Sequence, residues 1–121
     1  MRKLLIATAS EAAGADFARV LSQYEVHICH TGTEALRLLD ALHPDILIID
    51  LMLPSMDGLT VLQKSKFRPG TILARTNLIT PTVKRWAAEA GVQDLVLIPC
   101  STRCITERLA ALTEKVPSPE L

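Results

Sequence analysis

Asp45-Ile46-Leu47-Ile48-Ile49-Asp50, followed at once by Leu51-Met52-Leu53-Pro54-Ser55-Met56-Asp57-Gly58, is the stretch from which the fold can be read. Its aliphatic residues run without polar alternation, as a strand covered on both faces should. Three shorter runs share that character: Leu4-Leu5-Ile6-Ala7, Thr71-Ile72-Leu73-Ala74 and Asp94-Leu95-Val96-Leu97-Ile98. Tyr24-Glu25-Val26-His27-Ile28-Cys29 does alternate, which suits a strand nearer a sheet edge.

Helical patterns lie between these runs. Ala13, Phe17, Val20 and Leu21 keep helical spacing, with Ser10 placed to cap. Ala35, Leu38, Leu39 and Leu42 do the same behind Thr31-Gly32-Thr33-Glu34, a capping-box pattern, and Pro44 stops that helix. Leu59 and Leu62 support a shorter helix that Asp57 would cap. Pro81 suits a first helical position, with Val83, Ala87 and Ala90 following and Gly91 as the stop. Ile105, Leu109 and Leu112 mark the last helix. Five β-α units with short connections predict one doubly wound α/β domain, a parallel sheet with helices on both faces. In such sheets function collects at the carboxyl ends of the strands, so Thr8 to Ser10, Asp50 to Met52, Arg75 to Asn77 and Ile98 to Cys100 stand where chemistry would gather. Asp50, at the sheet's mouth, is expected to be held by a buried strand yet open to solvent.

Composition narrows the function classes. The chain has 121 residues, 13 Lys+Arg against 13 Asp+Glu, and 3% aromatic residues. That size suits a single domain with an aliphatic core. Zero net charge argues against nucleic-acid binding by this domain, and no polybasic patch marks a membrane surface. Three cysteines are too few for a disulfide scaffold, which favours a reducing compartment. The opening Met1-Arg2-Lys3 meets Thr8, Ser10 and Glu11 before any signal-peptide core develops, and no apolar stretch approaches the roughly 18 residues of a membrane span. A cytoplasmic, soluble protein is expected. No glycine-rich phosphate loop follows the first strand, so a nucleotide-binding enzyme is disfavoured.

Pro44-Asp45-Ile46-Leu47-Ile48-Ile49-Asp50-Leu51-Met52-Leu53-Pro54-Ser55-Met56-Asp57-Gly58-Leu59 closely resembles the phosphoacceptor segment of bacterial response-regulator receiver domains. Tyr24-Glu25-Val26 with Gly32-Thr33-Glu34-Ala35-Leu36 is similar to that family's second strand and helix, and Ala88-Glu89-Ala90-Gly91-Val92-Gln93-Asp94-Leu95-Val96 to its fifth-strand approach. The likeness runs over residues 3 to 115. It implies strand order 2-1-3-4-5, a receiver-like domain over 1–115, and a tail or linker over 116–121. It makes Asp50 the phosphoacceptor and Thr76 the hydroxyl switch, sets the Met52 carbonyl where a metal is coordinated, and matches Ile98-Pro99 to a Lys-Pro step whose peptide bond is usually cis.

Two departures set this chain apart from the family pattern. The acidic pair that binds Mg²⁺ falls on Thr8 and Ala9, and the strand-five lysine falls on Ile98. No neighbouring Lys or Arg is expected to replace that lysine, although Arg75 adjoins Thr76 and Arg103 lies a few residues beyond Ile98. Phosphoryl transfer to a carboxylate depends on neutralising negative charge on both reactants. With only Asp50 as a charged ligand and Met52 as a weak helper, Mg²⁺ binding is expected to be weak or absent. No other cofactor is implied. The chain thus reads as a non-enzymatic signalling module of a two-component phosphorelay. The alternative is a receiver still phosphorylated on Asp50 and controlling a DNA-binding output for transcription regulation. Its implied partners are a histidine kinase or phosphotransfer protein and an effector domain.

The remaining candidates concern surfaces and ligands. In the receiver family the face of helix 4, strand 5 and helix 5 carries dimerisation, and Trp86, Lys84, Arg85, Arg103 and Arg108 are candidates for it here. Trp86 reads equally as an interface anchor or as packed against the sheet. His27, His30 and His43 with Cys29 read as solvated or helix-end groups rather than metal ligands. Cys100 and Cys104 are spaced to share a helix face and read as free thiols.

Overall fold

In the computed structural model, which describes residues 1–113, the run Ile46–Asp50 is the middle strand of five. The elements alternate without exception: β1 Lys3–Ala7, α1 Glu11–Val20, β2 Glu25–Cys29, α2 Gly32–Leu42, β3 Ile46–Asp50, α3 Gly58–Lys64, β4 Thr71–Thr76, α4 Pro81–Glu89, β5 Asp94–Leu97 and α5 Thr102–Thr113. All strand pairs are parallel, in the order β2-β1-β3-β4-β5. The domain limit at 115 and the tail 116–121 lie outside the described residues.

Two core layers explain why the central strands carry no polar alternation. Leu5, Ala7, Leu47, Ile49, Ile72 and Ala74 point to the layer closed by α2, α3 and α4. Leu4, Ile6, Ile46, Ile48 and Leu73 point to the layer closed by α1 and α5, where Phe17, Leu21, Ile105 and Leu109 meet them. Each buried Leu or Ile contributes about 1.5–3 kcal/mol relative to exposure. β2, on one edge, exposes Glu25 and Ile28 instead of strictly alternate residues, and Leu97 is exposed on β5 at the other edge.

The helix starts are fixed by side chains that the sequence supplies locally. Ser10, Thr31, Asp57 and Thr80 each accept a hydrogen bond from the backbone N–H three residues on. At α2 the capping box is shifted by one residue: Glu34 accepts from the N–H of His30 rather than from that of Thr31. His43, in left-handed conformation at φ 49°, closes α2, and Gly91 at φ 94° follows α4. Cys100 lies before α5 instead of on it, so Cys100 and Cys104 do not share a helix face as their spacing suggested. Among the described residues no helix is long and apolar enough to cross a membrane.

The loop after β3 is clamped at both ends, and this places the carboxyl end of the sheet. Gly58 N–H donates to the Leu51 carbonyl at 2.8 Å, and a Cβ on Gly58 would fall 2.5 Å from the Asp50 carbonyl oxygen. Gly32 N–H donates to the Pro54 carbonyl at 3.0 Å, and a Cβ there would overlap the Met56 carbonyl oxygen. Thr33 and Ser55 join hydroxyls at 2.7 Å, with Ser55 held at φ 67°. The chain thus leaves Asp50 through a loop seated on the start of α2.

Asp57 is the cap that ends this loop, and the Thr60 backbone N–H bound to its carboxylate is the main cause that holds its pKa below the ordinary value. A folded value below the unfolded one means stability that is full above the unfolded pKa and lost as pH falls through the folded one. Asp57→Ala is therefore expected to lower unfolding free energy by about 1 kcal/mol at neutral pH. The gap to the wild type should close as urea-unfolding curves are repeated at falling pH through the acid range. A gap that stays constant would remove the carboxylate from the cap.

Candidate functional site

Four strand ends converge at the mouth of the sheet. Thr8 follows β1, Asp50 ends β3, Arg75 and Thr76 end β4, and Ile98 follows β5 with a cis bond to Pro99. β3 and β4 lie in register so that Asp50 stands opposite Arg75. This register makes the local charge a matter of neighbouring strands.

Asp50 is not open to solvent; it is 4% exposed, as is Arg75. Thr8 Oγ1 donates to Asp50 Oδ2 at 2.7 Å, and the Ala9 N–H donates to the same oxygen at 3.3 Å. On the other side, Arg75 Nε lies 3.3 Å from Asp50 Oδ1. The ion pair is not a bidentate fork: among the described residues Asp50 Oδ1 and Arg75 Nε and Nη1 have no hydrogen-bond partner. The guanidinium carbon sits 4.9 Å from the centre of the Phe17 ring, an apolar and weakly attractive seat. Burial pushes the Asp50 carboxyl above the ordinary carboxylate range, against the Thr8 hydroxyl, the Arg75 charge and the Ala9 N–H.

A cation therefore does stand beside Asp50, although none was expected to replace the lysine at Ile98. Its signal was present in the sequence. A strand read as buried on both faces holds an arginine at its end, and such a charge must be paired. His30, also unassigned by the motifs, donates from Nδ1–H to the Thr8 carbonyl at 2.8 Å and steadies the β1–α1 turn. Ser10 N–H donates to Thr8 Oγ1 at 3.2 Å, so the hydroxyl is itself oriented.

The other positions are less engaged. Thr76 is 5% exposed, and its hydroxyl both donates to the Leu78 carbonyl and accepts from the Leu78 N–H at 3.3 Å. That pair of bonds makes a local turn, not a contact with Asp50. Met52 is 68% exposed, Ala9 is exposed, and Ile98 is part-buried with its N–H on the Thr76 carbonyl at 2.8 Å.

The donor set does not fit a divalent cation. Mg²⁺ requires near-octahedral oxygen ligation led by one or two carboxylates. Here Thr8 and Ala9 bring no charge, and the single carboxylate is already ion-paired with a guanidinium. No cluster of three or more His, Cys, Asp or Glu exists among the described residues. The histidines are dispersed: His27 meets Glu25 at 2.7 Å, and His43 stacks on Phe67 with ring centres 4.3 Å apart. Burial pushes the Cys29 thiol up to about 12, which makes it a packing group.

The interface candidates fall on more than one side of α4. Lys84 lines a groove between α4 and β5 with Ala88, Asp94 and Leu95. Trp86, half exposed, turns to the opposite side of α4, into an apolar cleft with Met52, Leu59, Leu78 and Val83. Arg85 is exposed. Arg103 bonds Glu107 at 2.9 Å, and Arg108 bonds both oxygens of Asp94 at 2.9 and 3.1 Å, so both charges are balanced within the chain.

Comparison with known proteins agrees with this fold. The family model of the response regulator receiver domain matches residues 9–110. The chain is 28% identical over 96 residues to the transcriptional regulatory protein TrcR of Mycobacterium tuberculosis, covering 76% of this chain and 37% of that protein. It is 34% identical over 94 residues to the response regulator PleD of Caulobacter vibrioides, covering 74% of this chain and 21% of the relative. The chain thus spans well under half the length of these curated relatives. A CheY-like receiver domain from Methanospirillum hungatei superposes with a TM-score of 0.84 at 25% identity, over 94% of this chain and 95% of that one.

Thr8→Val keeps the shape of the side chain and removes its hydrogen bond to the buried carboxylate. It is expected to destabilise the domain by about 2 kcal/mol. Urea unfolding followed by circular dichroism measures this; an unchanged midpoint would show that the hydroxyl does not hold Asp50.

Proposed function

The chain belongs to the response regulator receiver domain family, and we propose that it is an atypical receiver, a docking and signalling module that works without phosphate on Asp50. Receiver domains are signalling modules of two-component systems that meet kinases, phosphotransfer proteins and effector domains. The proposed partners here are of those classes: a histidine kinase or phosphotransfer protein on the input side and an effector on the output side. On this proposal the chain is a binding module and not an enzyme. With thiols unpaired at Cys29, Cys100 and Cys104, the compartment proposed is the cytoplasm.

One observation carries the reading. The carboxylate at the phosphoacceptor position is buried and already paired with Arg75, while the positions of the acidic pair and the lysine hold Thr8, Ala9 and Ile98. Phosphoryl transfer is catalysed by positioning and charge neutralisation. Loss of a single preorganised stabiliser costs about 10²–10³ in rate, and two kinds are replaced here. In addition, one oxygen of the carboxylate is held by the Thr8 hydroxyl and the other faces the guanidinium, so the group has to be released before it attacks. Thr76, bonded to its own turn, is then a strand-end residue whose switch role has lapsed.

A second reading has its own support. The relative TrcR is named a transcriptional regulatory protein, and this chain matches only a fraction of its length. On that reading Asp50 is still phosphorylated and governs a DNA-binding output carried on additional sequence. Homodimerisation through α4, β5 and α5 belongs to either reading. Trp86, facing away from β5, contributes little to it.

Incubation of the chain with acetyl phosphate and Mg²⁺, read by intact mass, separates the two readings. No phosphoryl adduct is expected over times that fully modify a receiver with the acidic pair and lysine in place. An adduct that disappears in Asp50→Asn would establish the second reading instead.

A further inference from the structure

We propose that Arg75 is the resident counter-cation of the acceptor pocket. It takes, from the core of the sheet, the electrostatic place beside Asp50 that a divalent ion would need. The pocket is then neutral and closed with nothing bound. This deepens the reading of Asp50 as silent toward phosphodonors by naming what silences it.

Arg75 is the fifth of six consecutive buried residues in β4, and its register partner on β3 is Asp50. Its side chain lies on the α1 side, over Phe17, and reaches the carboxylate from beneath while Thr8 reaches it from the β1 side. The two charges are more than nine-tenths buried and face each other at 3.3 Å. The motif positions around them, Thr8, Ala9 and Ile98, are uncharged. One negative and one positive group therefore account for the formal charge of those positions. A dication placed on Asp50 would have to approach a guanidinium that always carries its proton. Conversely, once the guanidinium is removed, Asp50 is left as an unbalanced buried anion, which either takes up a proton or recruits a cation. Arg75 acts here through Asp50 and is a positioning residue.

The test uses the full chain as wild type, Asp50→Asn, Arg75→Met, Arg75→Lys and the Asp50→Asn/Arg75→Met double variant. Urea unfolding is followed by the fluorescence of Trp86, the sole tryptophan. Each single loss, Asp50→Asn or Arg75→Met, is expected to raise the unfolding equilibrium constant about a hundredfold or more, because each strands one buried partner. The double variant should lose less than the product of the two. If Arg75→Met does not fold alone, recovery of folding in the double variant expresses the same coupling.

A second measurement reads what a merely structural role would leave unmoved. Millimolar Mn²⁺ is titrated into each folded protein and the broadening of backbone amide resonances at residues 8–10 and 50–52 is recorded. The wild type and Arg75→Lys should stay sharp, while Arg75→Met gains broadening centred on Asp50 with at least tenfold tighter association. Should Arg75→Met not fold, the Arg75→Lys comparison is replaced by the stability cycle alone. Multiplicative losses in the cycle overturn the proposal, and so does equal Mn²⁺ response in wild type and Arg75→Met. No phosphodonor enters either measurement, so such a failure leaves the silence of Asp50 standing. A phosphoryl adduct on the wild type would instead sink that silence and leave the coupling intact.

Discussion

At the carboxyl end of β3 the sheet is covered on both faces, and a carboxylate there has lost most of its water. Four residues around the mouth of the sheet answer to that loss. Thr8 and Ala9 turn a hydroxyl and an N–H toward Asp50, His30 holds the Thr8 carbonyl, and Arg75 brings a full positive charge from the next strand. Taking two charges out of water costs several kcal/mol per ion before they attract each other. The pair is therefore less a source of stability than a constraint: once one member is buried, the other has to be.

The clamped loop transmits that constraint outward. From Asp50 the chain passes through Leu51, buried and bonded to the Arg75 carbonyl by its N–H, to a turn seated on α2. Thr76, next to Arg75, bonds the Leu78 backbone and so shapes the rim of the apolar cleft that holds Trp86, Met52 and Leu78. Three of the exposed apolar residues, Met52, Leu78 and Trp86, thus gather where the chain leaves the two strands that carry the buried charges.

The fold was legible in the sequence because its determinants are local. The unbroken run Ile46–Ile49 marks a strand covered on both faces, and Ser10, Thr31 and Asp57 mark helix starts through bonds spanning three residues, while Pro81 marks the first turn of α4. The site was legible only by position. Asp50, Thr8, Thr76 and Ile98 stand at strand ends, as counting predicts. An arginine at the end of a buried strand announces that it needs a partner, but that the partner is Asp50, 25 positions away, was hidden, because it follows only from the register of β3 on β4. The side of α4 that Trp86 faces was equally hidden, because its place one step off the apolar stripe allowed either direction. Cys100 was misplaced for a different reason: spacing of four residues implies a shared helix face only where both residues are helical.

The β3–β4 register also bears on how such a sequence drifts. When an acid and a guanidinium are mutually buried, replacing either one alone strands the other, so selection for foldedness by itself retains both. Asp50 can in this way outlast the chemistry that first placed an acid at that position. Its presence in a descendant chain would then be a record of packing, and the residue across from it on β4 would tell the two histories apart.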